Sequence, residues 1–265
     1  MNFSDIRMVA TDMDGTLLNS KHELHESFYS VFQNLKAHGI IFVAASGRQY
    51  YNLLKTLDII KDEVIFAAEN GSFVVFRDEE IHIQDMDGQI VKDLVLLSRT
   101  IPNTYAVICG KKKAYVESDN PEFINHLKLY FERYEIVEDL TKVGDDQFLK
   151  FTVCDLAGSE TNSYPHFRHF GENLQVKISG QIWLDISDKN ANKGKAMEVI
   201  QEKYGISPEQ TMAFGDYLND LEMLQKAHYS YAMANAHPDI KKAARSIAKS
   251  NDENGVVEVL LELTD

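Results

Sequence analysis

The sequence contains few cysteines, few basic residues and no long hydrophobic run. Its 265 residues include two cysteines, Cys109 and Cys154, which lack the spacing of metal ligands and fit a reducing compartment. Lysine and arginine total 27 against 41 aspartates and glutamates, and the net charge is −14. This negative balance argues against binding to nucleic acids, because their phosphates attract cationic side chains.

Membrane association is not expected either. No apolar run reaches membrane-spanning length, and the acidic composition disfavours an anionic lipid surface. The opening segment, MNFSDIRMVA, shows no signal-peptide pattern. We therefore expect a cytoplasmic protein, with a monomer as the default oligomeric state.

The two ends of the chain share an alternating pattern of strands and helices. Short apolar runs at 6–11, 40–46 and 64–68 suit buried strands, and residues with helical spacing separate them. The alternation returns after about residue 187, where a helix is predicted for 193–204. Strands and helices in this order predict an α/β fold, a Rossmann-like core with a parallel sheet.

The middle of the chain follows a different pattern. TYAVIC and KAYVES are predicted to pair as strands around Gly110, a helix is predicted for 121–133, and QFLKFTVC and QIWLDI are predicted as further strands. This pattern indicates an inserted α/β (α+β) domain. We predict that the core comprises residues 1–83 and 187–265 and that the inserted domain comprises residues 84–186.

Polar residues follow the predicted core strands where those strands end. They are Asp12 and Asp14, Ser46-Gly47-Arg48, Asn70-Gly71, Gly215-Asp216 and Asn219-Asp220. Ligands of parallel α/β sheets bind beyond the carboxyl ends of the strands, so these residues are expected to share one site. Asp12 and Asp14 repel each other unless a cation or proton intervenes, and Asp216 would add a third carboxylate. Because Mg²⁺ prefers such oxygen ligands, the sequence predicts a magnesium site.

Several of these residues also suit ordinary structural roles. Asp12, Asp14 and Asp220 could cap helices, and Ser46 could either cap a helix or contact a phosphate group. A lysine at a predicted helix start could neutralise a phosphoryl group, and Lys193 and Lys195 both compete for that role. Residue types alone leave these alternatives open.

Taken together, the motifs resemble those of the haloacid dehalogenase superfamily, and in particular its Cof-type sugar-phosphatase branch. The matching motifs are DMDGT, AASGR, KGKAM and GDYLND, with AMANAHPDIKKAA and SNDENGVVEVL further along the chain. The core matches throughout in order and spacing, whereas the inserted domain matches the family's large α/β cap in length and position only. The Lys-Gly pair selects Lys193. Two departures are mild: Ala234 stands where relatives often carry glycine, and Ser46 replaces the commoner threonine.

The resemblance implies a role for each motif. Asp12 would be the nucleophile that forms an aspartyl-phosphate, and Asp14 would be the general acid and then the general base. The phosphoryl oxygens would be held by Ser46, Lys193 and Asn219 together with backbone N–H groups of Met13, Asp14 and Gly47. Mg²⁺ would be held by Asp12, the backbone carbonyl of Asp14, and Asp216. Asp220 would lie behind them and orient Lys193 or a metal-bound water.

The implied function is a Mg²⁺-dependent phosphatase that acts on small phosphorylated metabolites, such as sugar phosphates. A phosphomutase on the same scaffold and a non-catalytic, receiver-like phosphate-binding module are the alternatives. Specificity is expected to lie on the inserted domain. Outside the motifs, we expect Arg48 to be a structural or solvated charge, His22 to be exposed and Trp183 to serve in packing.

Overall fold

The computed structural model describes residues 5–77 and 79–263 and shows two β-sheets with helices packed against them. Numbered in chain order, the strands are β1 (Met8–Thr11), β2 (Ile41–Ala45), β3 (Ile65–Ala68), β4 (Phe73–Phe76), β5 (Glu79–Ile83), β6 (Thr104–Gly110), β7 (Ala114–Val116), β8 (Tyr134–Ile136), β9 (Phe148–Asp155), β10 (Leu174–Gly180), β11 (Trp183–Asp188), β12 (Thr211–Gly215), β13 (Tyr229–Met233) and β14 (Ser246–Ala248).

The helices lie between these strands. They are α1 (Ser27–Ala37), α2 (Tyr50–Thr56), α3 (Gly88–Ser98), α4 (Pro121–Tyr130), α5 (Tyr164–Phe167), α6 (Lys193–Tyr204), α7 (Leu221–Gln225), α8 (Pro238–Ala243) and α9 (Gly255–Leu261). Within the described ranges, none of these helices has the length and apolar character needed to cross a bilayer.

The larger sheet has eight strands in the order β14-β13-β12-β1-β2-β3-β4-β5. The first six of these are parallel, and β4 and β5 extend the sheet with antiparallel pairing. Strand β1 pairs with β2 on one side and with β12 on the other, so the strands that precede the insert and those that follow it lie on opposite sides of β1. Such a reversal opens a crevice beyond the carboxyl end of the strand, which places Asp12 at the crevice.

Burial explains why these segments form central strands and amphipathic helices. All four residues of β1 are buried, as a strand covered on both faces requires. Helix α1 buries Phe28, Val31, Phe32 and Leu35, the residues whose spacing predicts a helix. These side chains pack on the sheet, where the ring centroids of Phe28 on α1 and Phe42 on β2 lie 5.2 Å apart.

The chain from α3 to β11, residues 88–188, forms the smaller unit, which we call the insert. Its six-stranded sheet has the order β10-β11-β9-β6-β7-β8 and is antiparallel except for the β7–β8 pair. Every residue of the central strand β9 is buried. The predicted fold class, a parallel α/β core with an inserted α/β domain, is confirmed. The predicted limits of that domain, 84–186, stay a prediction.

The helix predicted for 121–133 is shorter than expected. It ends at Tyr130, because Phe131 adopts extended backbone angles of φ −121° and ψ 111°. The residues that follow lie against the core: the Gln49 side-chain amide donates to the Arg133 carbonyl at 2.8 Å, and the Arg133 N–H donates back to the Gln49 side chain at 2.8 Å. This reciprocal pair holds the end of α4 on the start of α2, so the insert covers the carboxyl ends of the core strands.

Candidate active site

The turn after β1 brings two of the predicted carboxylates together. Asp12 follows the strand directly, is buried, and donates its N–H to the Phe214 carbonyl of β12 at 3.0 Å. Gly15 has a φ of +77°, and a Cβ there would lie 2.4 Å from the Asp216 carboxylate, so any other residue would strain the turn and displace Asp216. The Thr16 hydroxyl donates to Asp216 at 3.0 Å. The DGT part of the motif therefore shapes the loop against Asp216.

Lys193, at the start of α6, is the lysine that reaches the site. It is fully buried, and its Nζ donates to Asp12 Oδ1 at 2.5 Å and to Asp220 Oδ1 at 2.6 Å. Burial would lower its pKa, but the two carboxylates outweigh that effect and raise it. Lys195 instead is exposed and pairs with Glu198 at 3.0 Å. The structure thus brings Lys193, and not Lys195, to Asp12.

Asp12, Asp216 and Asp220 form a compact carboxylate cluster. One oxygen from each lies within 4.8 Å of the others. Burial is the main reason that the pKa of Asp12 lies well above its usual value, although Lys193 lowers it. Burial and the neighbouring Asp220 raise the pKa of Asp216 to about 7. Two buried carboxylates and the half-buried Asp216 opposite one lysine leave an excess of negative charge, which a divalent cation would offset.

Asp220 is less available to a metal than its two neighbours. Its Oδ1 accepts from Lys193, and its Oδ2 accepts from the backbone N–H groups of Asp216 and Tyr217 at 2.9 and 3.0 Å. Asp12 and Asp216 each keep one carboxylate oxygen without a partner among the residues described. The donor set therefore fits Mg²⁺ held by Asp12 and Asp216, with Asp220 behind them.

The Asp14 carboxylate points away from this cluster and toward Arg48. Arg48 Nε donates to its Oδ2 at 2.6 Å and Nη2 to its Oδ1 at 2.5 Å, while His22 Nδ1 lies 2.9 Å from Oδ1. Burial alone would raise the pKa of Asp14, but the hydrogen bonds from Arg48 and His22 outweigh it and lower the pKa to about 2. Asp14 is therefore ionised at neutral pH in this geometry.

The expectations for the two partners of Asp14 are only partly met. Arg48 is a structural charge, as expected, and only 5% of its side chain is exposed. Its position in the AASGR motif, at the end of a strand, is the sequence feature that places it near the site. His22 is exposed, as expected, yet it also contacts Asp14. No feature of the sequence indicates that contact.

The predicted phosphate-binding residues lie at the same edge of the sheet. Ser46 is buried and its hydroxyl accepts from the Arg48 N–H at 3.2 Å, while the Asn219 amide donates to Asn70 at 3.0 Å. Within the described ranges, the backbone N–H groups of Met13 and Gly47 have no acceptor. The Met13 side chain is buried in the core, so only its backbone can serve the site.

A cleft of about 270 Å³ lies between this edge and the insert. The core contributes Asp12, Asp14, Ser46, Gly47, Arg48, Asp216, Tyr217 and Asn219. The insert contributes His126, Tyr130, Phe131, Lys150, Thr152, Asp185 and the segment 179–183, which includes Trp183. Trp183 packs on its neighbours, as expected, but it also lines the cleft.

Lys150 ties the insert to the core at the floor of the cleft. Its Nζ donates to the Gly47 carbonyl at 2.8 Å and pairs with Asp185 at 3.3 Å and with Glu69 at 3.1 Å. The other donors to Asp185 are Thr152 and Asn70, each at 2.8 Å. Sequence analysis missed Lys150, although a single lysine inside the apolar strand FLKFTVC is the signal that could have identified it.

The chain belongs to the haloacid dehalogenase-like hydrolase family, whose sequence profile matches residues 9–260. This match confirms the resemblance inferred from the motifs, and the protein is a hydrolase of that family.

Individual relatives match over nearly the whole chain. The 5-amino-6-(5-phospho-D-ribitylamino)uracil phosphatase of Escherichia coli K12 is 31% identical over 259 residues, which cover 96% of this chain and 95% of that protein. The HMP-PP phosphatase of E. coli O6:H1 is 28% identical and covers 89% and 86%. The crystal structure of SMU.1108c from Streptococcus mutans UA159 superposes with a TM-score of 0.89 at 30% identity and covers 97% and 98%. The predicted enzyme class, a phosphoric monoester hydrolase, agrees with these names.

We predict that Lys193→Met lowers the free energy of unfolding by about 3–5 kcal/mol near neutral pH, because it leaves buried carboxylates without their cation. Lys193 lowers the pKa of Asp12, so the variant raises that pKa further above its value in the unfolded chain. The folded variant therefore takes up a proton on Asp12 at a higher pH than the wild type does. The difference in free energy of unfolding between the variant and the wild type should therefore shrink as the pH falls toward about 5. Urea unfolding at both pH values measures this.

Lys195→Met is the matched control on the same helix. Its exposed ion pair should contribute about 1 kcal/mol or less. Equal losses for the two variants, or a Lys193→Met deficit that grows on acidification, would contradict the assigned role of Lys193.

Proposed function

We propose that this hydrolase is a Mg²⁺-dependent phosphatase of small phosphorylated metabolites that forms an aspartyl-phosphate on Asp12. The observation that carries the proposal is the position of Asp12 and its contact with Lys193. It is buried at the end of β1, one of its oxygens is held by Lys193, and it borders the cleft. The names of the E. coli relatives, a phosphatase of a ribitylaminouracil phosphate and an HMP-PP phosphatase, support this substrate class.

Attack by Asp12 requires that negative charge be offset, because carboxylate and phosphate repel each other. Lys193 supplies a positive charge next to the attacking oxygen, and Mg²⁺ bound by Asp12 and Asp216, with the Asp14 carbonyl, would supply the rest. Ser46, Asn219 and the N–H groups of Met13, Asp14 and Gly47 would hold the phosphoryl oxygens. A covalent intermediate divides one difficult displacement into two easier steps.

Asp14 serves the proton transfers in this mechanism. As a carboxylate it can accept a proton from the water that hydrolyses the intermediate. To protonate the leaving alcohol it must first take up a proton, which its pKa of about 2 opposes while Arg48 and His22 hold it. The first step therefore requires that the Asp14–Arg48 pair open when substrate binds.

The cellular setting rests on composition alone. The proposal includes a cytoplasmic location and a monomeric enzyme. The family match favours an enzyme over a receiver-like module.

We expect Asp12→Asn to abolish release of phosphate from p-nitrophenyl phosphate, because the amide cannot form the acyl phosphate. Asp14→Asn should reduce kcat by about 10²- to 10⁴-fold, which is the typical contribution of a general acid–base group. Asp239→Asn, at an exposed aspartate of α8, is the control and should keep wild-type kcat.

Retention of wild-type activity by Asp12→Asn would contradict the assignment of the nucleophile. Product analysis with glucose 1-phosphate separates the two reactions of this scaffold. Free phosphate supports the phosphatase, whereas an isomerised sugar phosphate would identify a mutase.

We expect chelation by EDTA to abolish activity and Mg²⁺ to restore it. A proton on Asp216 competes with the metal, and the pKa of Asp216 is raised to about 7. Apparent Mg²⁺ affinity should therefore increase as the pH rises through about 7 and should be lost below it. The measurement is Mg²⁺-dependent activity between about pH 6 and pH 8.

Asp216→Asn tests the cause of that pH dependence. It should weaken the apparent Mg²⁺ affinity and flatten its pH profile, because asparagine has no proton to lose. An unchanged profile in this variant would show that another group titrates.

A further inference from the structure

The insert side of the cleft is lined by aromatic rings. His126 and Tyr130 lie on α4, Phe131 follows them, and Trp183 begins β11. The Tyr130 and Trp183 ring centroids are 5.6 Å apart at an interplanar angle of 81°, so one ring supports the other edge to face. The guanidinium of Arg48, which holds Asp14, lies 5.5 Å from the Tyr130 centroid. The rings therefore begin where the leaving group of a phosphate ester would emerge.

The same wall carries polar groups that have no partner. The imidazole of His126, the hydroxyl of Tyr130, the amide of Gln181 and the indole N–H of Trp183 make no hydrogen bond to any residue in 5–77 or 79–263. None of these atoms is among the fully buried polar atoms that lack a partner, so each remains accessible. A ligand in the cleft would meet the exposed parts of these aromatic side chains together with free donors and acceptors.

The carboxylate on this wall is not available to a ligand. Asp185 accepts from Thr152 through Oδ1 and from Asn70 and Lys150 through Oδ2. A carboxylate with free oxygens is a strong acceptor for the neighbouring hydroxyls of a sugar, and this wall offers no such group within the described ranges. The wall is therefore better matched to a planar ring than to an aliphatic polyol.

The size of the cleft limits the ligand further. Its volume of about 270 Å³ must hold a phosphate group as well as the alcohol that carries it. Pockets for drug-sized ligands span roughly 300–1,000 Å³, so this cleft admits one ring with a short link rather than a dinucleotide.

We propose that the insert side of the cleft is a subsite for a single planar heteroaromatic ring, bounded by Tyr130 and Trp183. The preferred substrates are then phosphate monoesters of a small alcohol that carries such a ring with polar substituents. His126 and Gln181 are the side chains that would hydrogen-bond those substituents. This inference rests on the phosphatase function proposed above and specifies its substrate class.

Competing substrates test the proposal in the intact protein. Wild-type kcat/KM should be about tenfold or more higher for pyridoxine 5′-phosphate than for glucose 6-phosphate, because stacking on aromatic side chains is typically worth that much. The ratio of kcat/KM for pyridoxine 5′-phosphate to that for acetyl phosphate, which carries no ring, should fall about tenfold in Tyr130→Leu and in Trp183→Leu. Tyr130→Phe keeps the ring and should keep most of the preference.

Tyr134→Leu is the matched control, since Tyr134 is a half-buried tyrosine of the insert that does not line the cleft. It should keep the wild-type ratio. Equal or better turnover of glucose 6-phosphate by the wild type would overturn the proposal. The proposal would also be overturned if the two leucine variants lowered kcat/KM by the same factor for every substrate.

A binding measurement separates this inference from the proposed function. Trp183 is the chain's one tryptophan, so fluorescence excited selectively at tryptophan, and not at the 12 tyrosines, reports on the subsite. 5-Hydroxymethyluracil, which lacks a phosphate, should quench it saturably in wild type and in Asp12→Asn, and not in Tyr130→Leu. Quenching without any phosphatase activity would support the subsite and refute the function. Activity on acetyl phosphate without quenching would refute the subsite and leave the function standing.

Discussion

The contact between Lys193 and the two carboxylates of Asp12 and Asp220 is the interaction on which the site depends. It joins the start of α6 to the end of β1 and to the start of α7, which are separated along the chain. Removing the lysine would leave two buried carboxylates without a counter-charge, which is strongly destabilising in a protein interior. The glycine after Lys193 makes the contact possible, since a Cβ on Gly194 would lie 2.6 Å from the Cβ of Glu222. Charge balance and backbone packing therefore constrain the same few residues.

The insert contributes to the site at both ends of the cleft. Lys150 Nζ donates to the Gly47 carbonyl, and the Tyr130 ring lies against the Arg48 guanidinium. The loop that we propose binds phosphate and the arginine that holds Asp14 are thus both contacted by a domain that contains none of the four sequence motifs. In the proposed function the core carries out the chemistry, while the insert selects the alcohols that can approach it.

The sequence predicts the core well because its signals are local. Apolar runs define the parallel strands, and strand ends converge at one edge, so Asp12, Lys193 and Asp216 meet as their motifs indicate. The residues that sequence analysis missed depend on contacts between distant segments. The Lys150–Gly47 bond spans 103 positions, and the Arg48–Asp14 pair spans 34. The first contact depends on how the insert packs on the core and the second on how two loops of the core meet, and no periodic pattern encodes either.

The reciprocal hydrogen bonds between Gln49 and Arg133 have a consequence for turnover. Gln49 is buried, and its backbone N–H also donates to the Tyr130 carbonyl at 3.3 Å, so moving the end of α4 away from α2 would break at least three hydrogen bonds, each worth about 1 kcal/mol net. Because Tyr130 sits on that same helix end, such a movement would lift its ring from Arg48 and widen the mouth of the cleft. The width of that mouth is therefore set by contacts between α4 and α2, which lie outside the carboxylate cluster.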